Sequence, residues 1–371
     1  MAPITVMLKP ASGLCNMRCR YCFYADEAAK RETSSFGLMS RETLGNVLKN
    51  VLSYAAGACN IVFQGGEPTL AGLDFFRDAV RLAEEYNINR CRISYAIQTN
   101  GLLIDHKWCE FLAENHFLVG VSLDGPKEIH DQNRPDASGK GTHNRVMHTV
   151  QLLKSHHVDT NILTVITSLT ARNFQKIYGF YDRNGLEYQQ YIPCFDPLGE
   201  ERGQRPWSLT PERYEQYLKT AFDCWYRDAM AGKKKYHRYF DNLLFLLDGQ
   251  YPETCGMMGF CGRQYVVEAD GSVYPCDFYM LDDHKLGNLT ADTVEKVDKR
   301  REELGFIQKS AVPDKTCPDC RWWSLCRGGC RRDRDYFEQG IGKNYYCPAY
   351  KAFFEYAYPR LVEVYKAVRY S

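Results

Sequence analysis

Three cysteines close to the amino terminus, Cys15, Cys19 and Cys22, stand in the spacing C-x3-C-x2-C. Thiolates at such spacings ligate either zinc or an iron-sulfur cluster. A cuboidal cluster has four irons, so three thiolates leave one iron without a protein ligand, and that open iron can chelate a small molecule through an amine and a carboxylate. The apolar, β-prone run from Ile4 to Lys9 precedes the triplet, which puts the cysteines on the loop after a first strand. Active sites of α/β barrels are built from loops at strand carboxyl ends. The position therefore favours a cluster over structural zinc.

A second cysteine field comprises Cys255, Cys261, Cys276, Cys317, Cys320, Cys326, Cys330 and Cys347, with a compact C-x2-C-x5-C-x3-C run inside it. Eight thiols are two complete sets of four, and a cluster with every iron ligated suits electron transfer. Zinc held by four thiolates is the competing reading. The remaining Cys59, Cys91, Cys109, Cys194 and Cys224 read as small buried apolar residues. Sixteen cysteines without an evident disulfide framework point to a reducing compartment, and an open iron, which oxygen attacks, points to an anaerobic host.

The elements that must position these groups are legible as repeated βα units. Six strands are expected: 4–9, 60–64, 92–98, 118–123, 161–167 and 188–192. Helical patterns lie between them, one capped by Ser40. Gln64-Gly65-Gly66-Glu67-Pro68 closes the second strand, Gln98-Thr99-Asn100-Gly101 the third, and Ser122-Leu123-Asp124-Gly125 the fourth. Each alone is turn chemistry, but three after consecutive strands suggest one shared ligand. Beyond about residue 196 a helical connector is expected, with Thr210-Pro211 opening one helix and the aromatic-rich 236–247 forming another, its rings serving packing.

Lys+Arg 47 against Asp+Glu 46 nearly cancel, so bulk charge gives no reason to expect nucleic acid as a partner. No apolar stretch approaches the roughly 20 residues that cross a bilayer, and the start lacks a signal-peptide pattern. A cytoplasmic, monomeric protein is expected. The basic run Arg327, Arg331, Arg332 and Arg334 reads as a solvated face.

Taken together, Cys15 to Tyr24, the Phe63-Gln-Gly-Gly-Glu-Pro-Thr-Leu70 segment and the carboxyl-terminal field resemble the radical S-adenosylmethionine (radical SAM) enzymes that carry a SPASM extension. The segment Tyr274-Pro-Cys-Asp-Phe-Tyr279 narrows the resemblance, at near full length, to anaerobic sulfatase-maturating enzymes. It implies an α/β fold: a partial (β/α)6 TIM-like barrel with helical connector over 1–235, followed by a cysteine-rich SPASM domain with a C-terminal helix over 236–371. It also implies three [4Fe-4S] clusters. Cys15, Cys19 and Cys22 would hold the one that binds S-adenosylmethionine; Cys255, Cys261, Cys276 and Cys330 the first auxiliary cluster; and Cys317, Cys320, Cys326 and Cys347 the second.

By the same resemblance, with position, the cofactor would meet Gly65, Gly66 and Glu67 at its methionyl amine, Ser122 and Arg134 at its polar end, and Tyr21, Tyr24 and Phe195 near adenosine. Arg134 could equally lie on the surface, and Phe195 stands where the family has an aliphatic residue. Gln98 and Asn100 would hold a substrate peptide. Asp277 would be the general base in oxidation of a cysteine or serine of a target sulfatase to Cα-formylglycine, with flavodoxin or ferredoxin as electron donor. Other SPASM peptide chemistry (thioether, crosslink or epimer formation) and a non-catalytic electron-transfer protein are the alternatives. Only fourteen residues precede Cys15, too few for a leader-gripping module, which favours sulfatase maturation.

Overall fold

Short segments enriched in β-branched and aromatic residues set the strands. The computed structural model, which describes residues 3–233, 235–336 and 340–369, has β1 (Ile4–Leu8), β2 (Ala58–Phe63), β3 (Arg92–Thr99), β4 (Leu118–Ser122), β5 (Thr160–Ile166) and β6 (Tyr188–Pro193) within a residue or two of the six expected strands. Four further short strands were not anticipated: β7 (Tyr236–His237), β8 (Tyr265–Val267), β9 (Ser272–Tyr274) and β10 (Gly287–Asn288). The chain divides into two units, each interleaved in sequence.

The first unit takes residues 1–122, 134–160 and 263–306. Its strands run in the order β10-β9-β8-β1-β2-β3-β4. β1 to β4 are parallel, each joined to the next by a helical crossover. β8 joins β1 in parallel, Val6 to Leu8 opposite Tyr265 to Val267, and β9 and β10 complete an antiparallel extension. Val6, Leu8, Ile61, Phe63, Ile97, Val119 and Val121 are at most 1% exposed, and burial alternates along β1 and β2, so one face of these strands carries the core. Phe63 packs on Phe76, Phe75 and Phe117 with ring centroids 4.7, 6.5 and 6.1 Å away. Ser40 caps helix Arg41–Tyr54 by accepting from the Thr43 amide at 3.0 Å, as its residue type and position foretold.

The second unit takes 123–133, 161–262 and 307–371, with β5-β6-β7 parallel. Thr210 caps and Pro211 opens helix Pro211–Met230. That helix packs on the carboxyl-terminal helix Cys347–Arg369 through Phe222 on Phe353 (5.8 Å), and its Tyr214 meets Tyr346, the residue just before that helix, at 4.6 Å. The aromatic segment expected to be wholly helical is the short strand β7 followed by helix Arg238–Leu247. The five scattered cysteines are all buried. Among the described residues no helix is long and apolar enough to cross a membrane.

His237, 2% exposed, is stacked between Tyr191 (4.8 Å) and Phe240 (4.1 Å), and neither ring nitrogen has a hydrogen-bond partner among the described residues. Burial holds its pKa down to about 3, against about 6.5 for a free imidazole. The unfolded chain therefore binds this proton first as pH falls, so stability present above about 6.5 is lost toward 3. Buried Asp241, raised to about 7, acts in the opposite sense. His237→Phe removes only the histidine contribution: between about pH 7.5 and about pH 5 the variant should gain about 2 kcal/mol relative to wild type, read from urea unfolding of anaerobically reconstituted protein.

Candidate active site

The loop after β1 carries Cys15, Cys19 and Cys22, all partly exposed, and ends at helix Phe23–Ala29. Neighbouring strand ends brace it. The Glu67 amide donates to the Leu14 carbonyl at 2.8 Å. Asn100 Nδ2 reaches Asn16 Oδ1 at 2.7 Å and the Cys15 sulfur at 3.8 Å, and Arg134 Nη1 reaches the Cys19 sulfur at 3.9 Å. Donors aimed at thiols suit thiolate ligands of a cluster. Arg134, 6% exposed, is not a surface arginine; its guanidinium lies 5.3 Å from the Tyr21 ring centroid. Burial pushes the Cys15 thiol up to about 11, so loading a metal there must release a proton.

The glycines at the end of β2 are sterically required. Gly65 and Gly66 have φ of +96° and +51°, the left-handed region that favours glycine. A Cβ on Gly66 would stand 2.2 Å from the Leu14 carbonyl oxygen and 2.8 Å from that of Ser12. Next to them Glu67, 1% exposed, accepts from Thr69 Oγ1 (2.6 Å), Thr99 Oγ1 (2.7 Å) and the Asn100 amide (2.7 Å). Burial raises its pKa against the pull of these hydrogen bonds. Glu67 thus ties the ends of β2 and β3 together behind the cysteine loop. Ser122 ends β4 and is 9% exposed; Gln98 lies opposite Gly120 in the β3–β4 ladder.

Asp277, 5% exposed, sits just past β9 and Cys276. Its Oδ1 meets the Lys9 ammonium at 2.8 Å, while Oδ2 accepts from the Tyr24 hydroxyl at 2.6 Å and Gln64 Nε2 at 3.0 Å. Gln64 Nε2 also reaches the Tyr24 oxygen at 2.7 Å, and the Lys9 ammonium stands 3.8 Å from the Tyr24 ring centroid. Burial and then the Asp277 charge push the Tyr24 hydroxyl well above its ordinary pKa, so it stays a donor. Lys9 and Gln64 carry no role in the sequence reading. Both lie directly after strands, and a charged residue ending an apolar run was the available signal.

In the second unit Cys317, Cys320, Cys326 and Cys347 line one cavity with Trp322 and Tyr350, a donor set that fits a four-thiolate cluster. The arginine run is corrected by the structure: Arg331, Arg332 and Arg334 are 8%, 7% and 2% exposed. Arg332 Nη2 donates to the Asp196 carbonyl at 2.9 Å and Arg334 Nη2 to that of Ser310 at 2.6 Å. Backbone acceptors distant in sequence replace the expected water. Phe195 lies 5.4 Å from the Arg332 guanidinium.

A family model described as the Radical SAM superfamily matches residues 10–181, and SPASM, described as an iron-sulfur cluster-binding domain, matches 255–321. With the parallel strands and the three-thiol loop, these define a radical SAM enzyme with an auxiliary iron-sulfur extension. The cysteine-type anaerobic sulfatase-maturating enzyme of Clostridium perfringens is 46% identical over 98% of this chain and 99% of its own length. The serine-type enzyme of Bacteroides thetaiotaomicron is 31% identical over 96% of this chain and 90% of its own. A solved structure described as native anSMEcpe with bound AdoMet and Cp18Cys peptide superimposes with a TM-score of 0.95 at 45% identity, covering 99% of both chains. The chain belongs to the anaerobic sulfatase-maturating enzymes, with the fold class anticipated above.

Gly66→Ala should displace the Leu14 carbonyl and with it Cys15, lowering reductive S-adenosylmethionine cleavage on the order of a hundredfold. Gly45→Ala in helix Arg41–Tyr54, whose Cβ would meet nothing closer than the Tyr86 hydroxyl at 3.9 Å, should leave cleavage unchanged. Chromatographic quantification of 5′-deoxyadenosine checks both.

Proposed function

We propose that this chain oxidises a cysteine side chain of a target sulfatase to Cα-formylglycine. The observation that carries the reading is the buried Asp277 carboxylate held by Lys9, Tyr24 and Gln64, beside the cysteine loop of an enzyme 46% identical to a cysteine-type relative and 31% identical to a serine-type one. The net change removes a hydrogen atom from the substrate Cβ, a proton from its sulfur and one electron; water then replaces sulfur to give the aldehyde. When bound, S-adenosylmethionine and three [4Fe-4S] clusters supply the hydrogen-abstracting radical and an electron outlet.

Every other part falls to this chain's residues. Cys15, Cys19 and Cys22 hold the first cluster; Cys255, Cys261, Cys276 and Cys330 the first auxiliary one; Cys317, Cys320, Cys326 and Cys347 the second. Gly65, Gly66 and Glu67 shape the cofactor cradle, with Ser122, Arg134, Tyr21, Tyr24 and the Phe195 segment around it. Gln98 and Asn100 hold peptide backbone. Asp277 takes the thiol proton at its carboxylate. Lys9 neutralises the resting anion, while Tyr24 and Gln64 fix the direction of Oδ2. We further propose a division into a radical SAM region, 1–235, and a SPASM region, 236–371, and a cytoplasmic monomer served by flavodoxin or ferredoxin.

Mass spectrometry of cysteine and serine forms of a sulfatase-derived peptide, incubated with reconstituted enzyme, should show conversion of the cysteine form; conversion of the serine form alone would overturn the substrate assignment. Asp277→Asn should cleave S-adenosylmethionine at the wild-type rate while losing formylglycine formation by about a hundredfold or more. Wild-type product yield from that variant would remove Asp277 from the role of base.

A further inference from the structure

Two segments of the first unit build the Asp277 site from opposite sides. One is helix Phe23–Ala29, with Tyr24 in its first turn, and the stretch that follows it. The other is the β8–β9 hairpin, which leads into Cys276 and Asp277. They touch at the site through the 2.6 Å Tyr24 to Asp277 hydrogen bond and the Phe23 to Phe278 ring contact at 5.0 Å. They touch again away from it. Arg31 Nη1 meets Glu268 Oε2 at 2.7 Å, with side chains 4% and 1% exposed, and the Glu32 amide donates to Asp282 Oδ2 at 2.8 Å.

The pair is anchored at both ends to its own backbone. Arg31 Nη2 donates to the Ser34 carbonyl at 2.9 Å, and Glu268 Oε1 accepts from the Ala269 amide at 2.8 Å. Glu268 is itself fixed in the hairpin turn, its amide bonded to the Ser272 carbonyl and its carbonyl to the Gly271 amide. A shift of one backbone against the other must therefore strain a charge-assisted, directional contact rather than slide over an apolar surface. Apolar side chains of similar size pack such a place at least as stably, so a buried ion pair there is better suited to fixing register than to adding stability.

We infer that Arg31 and Glu268 form a positioning strut that sets the Tyr24 to Asp277 geometry, and hence couples S-adenosylmethionine cleavage to substrate oxidation. The inference rests on the reading of Asp277 as proton acceptor. Neither residue touches the reacting groups. Without the strut, radical formation at the cysteine loop continues, but Asp277 is misaimed, and more cofactor is cleaved for each formylglycine made.

The test is the ratio of formylglycine to 5′-deoxyadenosine in reconstituted holoenzyme. A merely structural pair would lower both products together, since unfolded enzyme makes neither, and would leave the ratio unmoved. Glu268→Gln should lower the ratio at least about fivefold with iron content and deoxyadenosine formation close to wild type. Should that variant fail to fold, the double variant Arg31→Met with Glu268→Met, which leaves no unpaired buried charge, reads the same ratio: uncoupling supports the strut, and a wild-type ratio overturns it. Asp277→Asn run alongside separates the two ideas. If it uncouples and the strut variants do not, only the strut fails; if it keeps the wild-type ratio, the underlying reading fails and the strut with it.

Discussion

A carboxylate taken out of water is the constraint on which this site depends. Burial of an anion costs several kcal/mol unless charge and hydrogen bonds replace its hydration. Asp277 receives an ammonium on one oxygen and two donors on the other. These come from Lys9 just past β1, Gln64 just past β2 and Tyr24 in the first turn of the cysteine-loop helix. Four residues far apart in sequence thus define one another's positions, and loss of any one leaves a buried charge undercompensated. Rigid strand ends are what make such mutual definition possible, because a donor on a loose loop would regain water instead.

Bringing Asp277 to that place is the task of β8. Its three residues lie parallel to β1, and the Lys9 amide continues the ladder to the Val267 carbonyl at 2.8 Å. The long strands β1 to β6 were legible because five to eight residues rich in β-branched and aromatic side chains, set between helical patterns, carry a signal. Strands of two or three residues carry no period, so β7 to β10 were not, and the route by which Asp277 reaches Lys9 was hidden with them. Helix starts were legible where the chemistry is local: Ser40 and Thr210 accept from amides three residues on. The arginines after Cys330 were misread for the converse reason. Their acceptors, the carbonyls of Asp196 and Ser310, are long-range partners, and composition predicts solvation for a basic run unless such partners are known.

Cysteine spacing marks candidate ligands but not their grouping. A C-x2-C pair says that two thiols are close; it does not say which distant thiols join them. Cys347 lines a cavity with Cys317, Cys320 and Cys326 because helix Cys347–Arg369 begins there, and that helix is seated by Tyr214, Phe222 and their aromatic partners rather than by any cysteine. Aromatic packing in the second unit is therefore what gathers these four thiols around one cavity.

The two buried ion pairs of the first unit show how residue type sorts position from chemistry. Lys9 and Glu268 directly follow Leu8 and Val267, which are opposite one another in the β1–β8 ladder, so opposite charges leave the two strands side by side. Each nevertheless takes a different partner: Lys9 pairs with Asp277, Glu268 with Arg31. The planar guanidinium holds a carboxylate and a carbonyl in fixed directions at once, which suits a contact whose purpose is register. An ammonium is a compact charge with rotatable donors, able to hold a carboxylate from above an aromatic ring without dictating its orientation. Orientation is left to Tyr24 and Gln64. Exchanging the two cations would give the Asp277 carboxylate a rigid fork, and give the Arg31 to Glu268 joint a pivot.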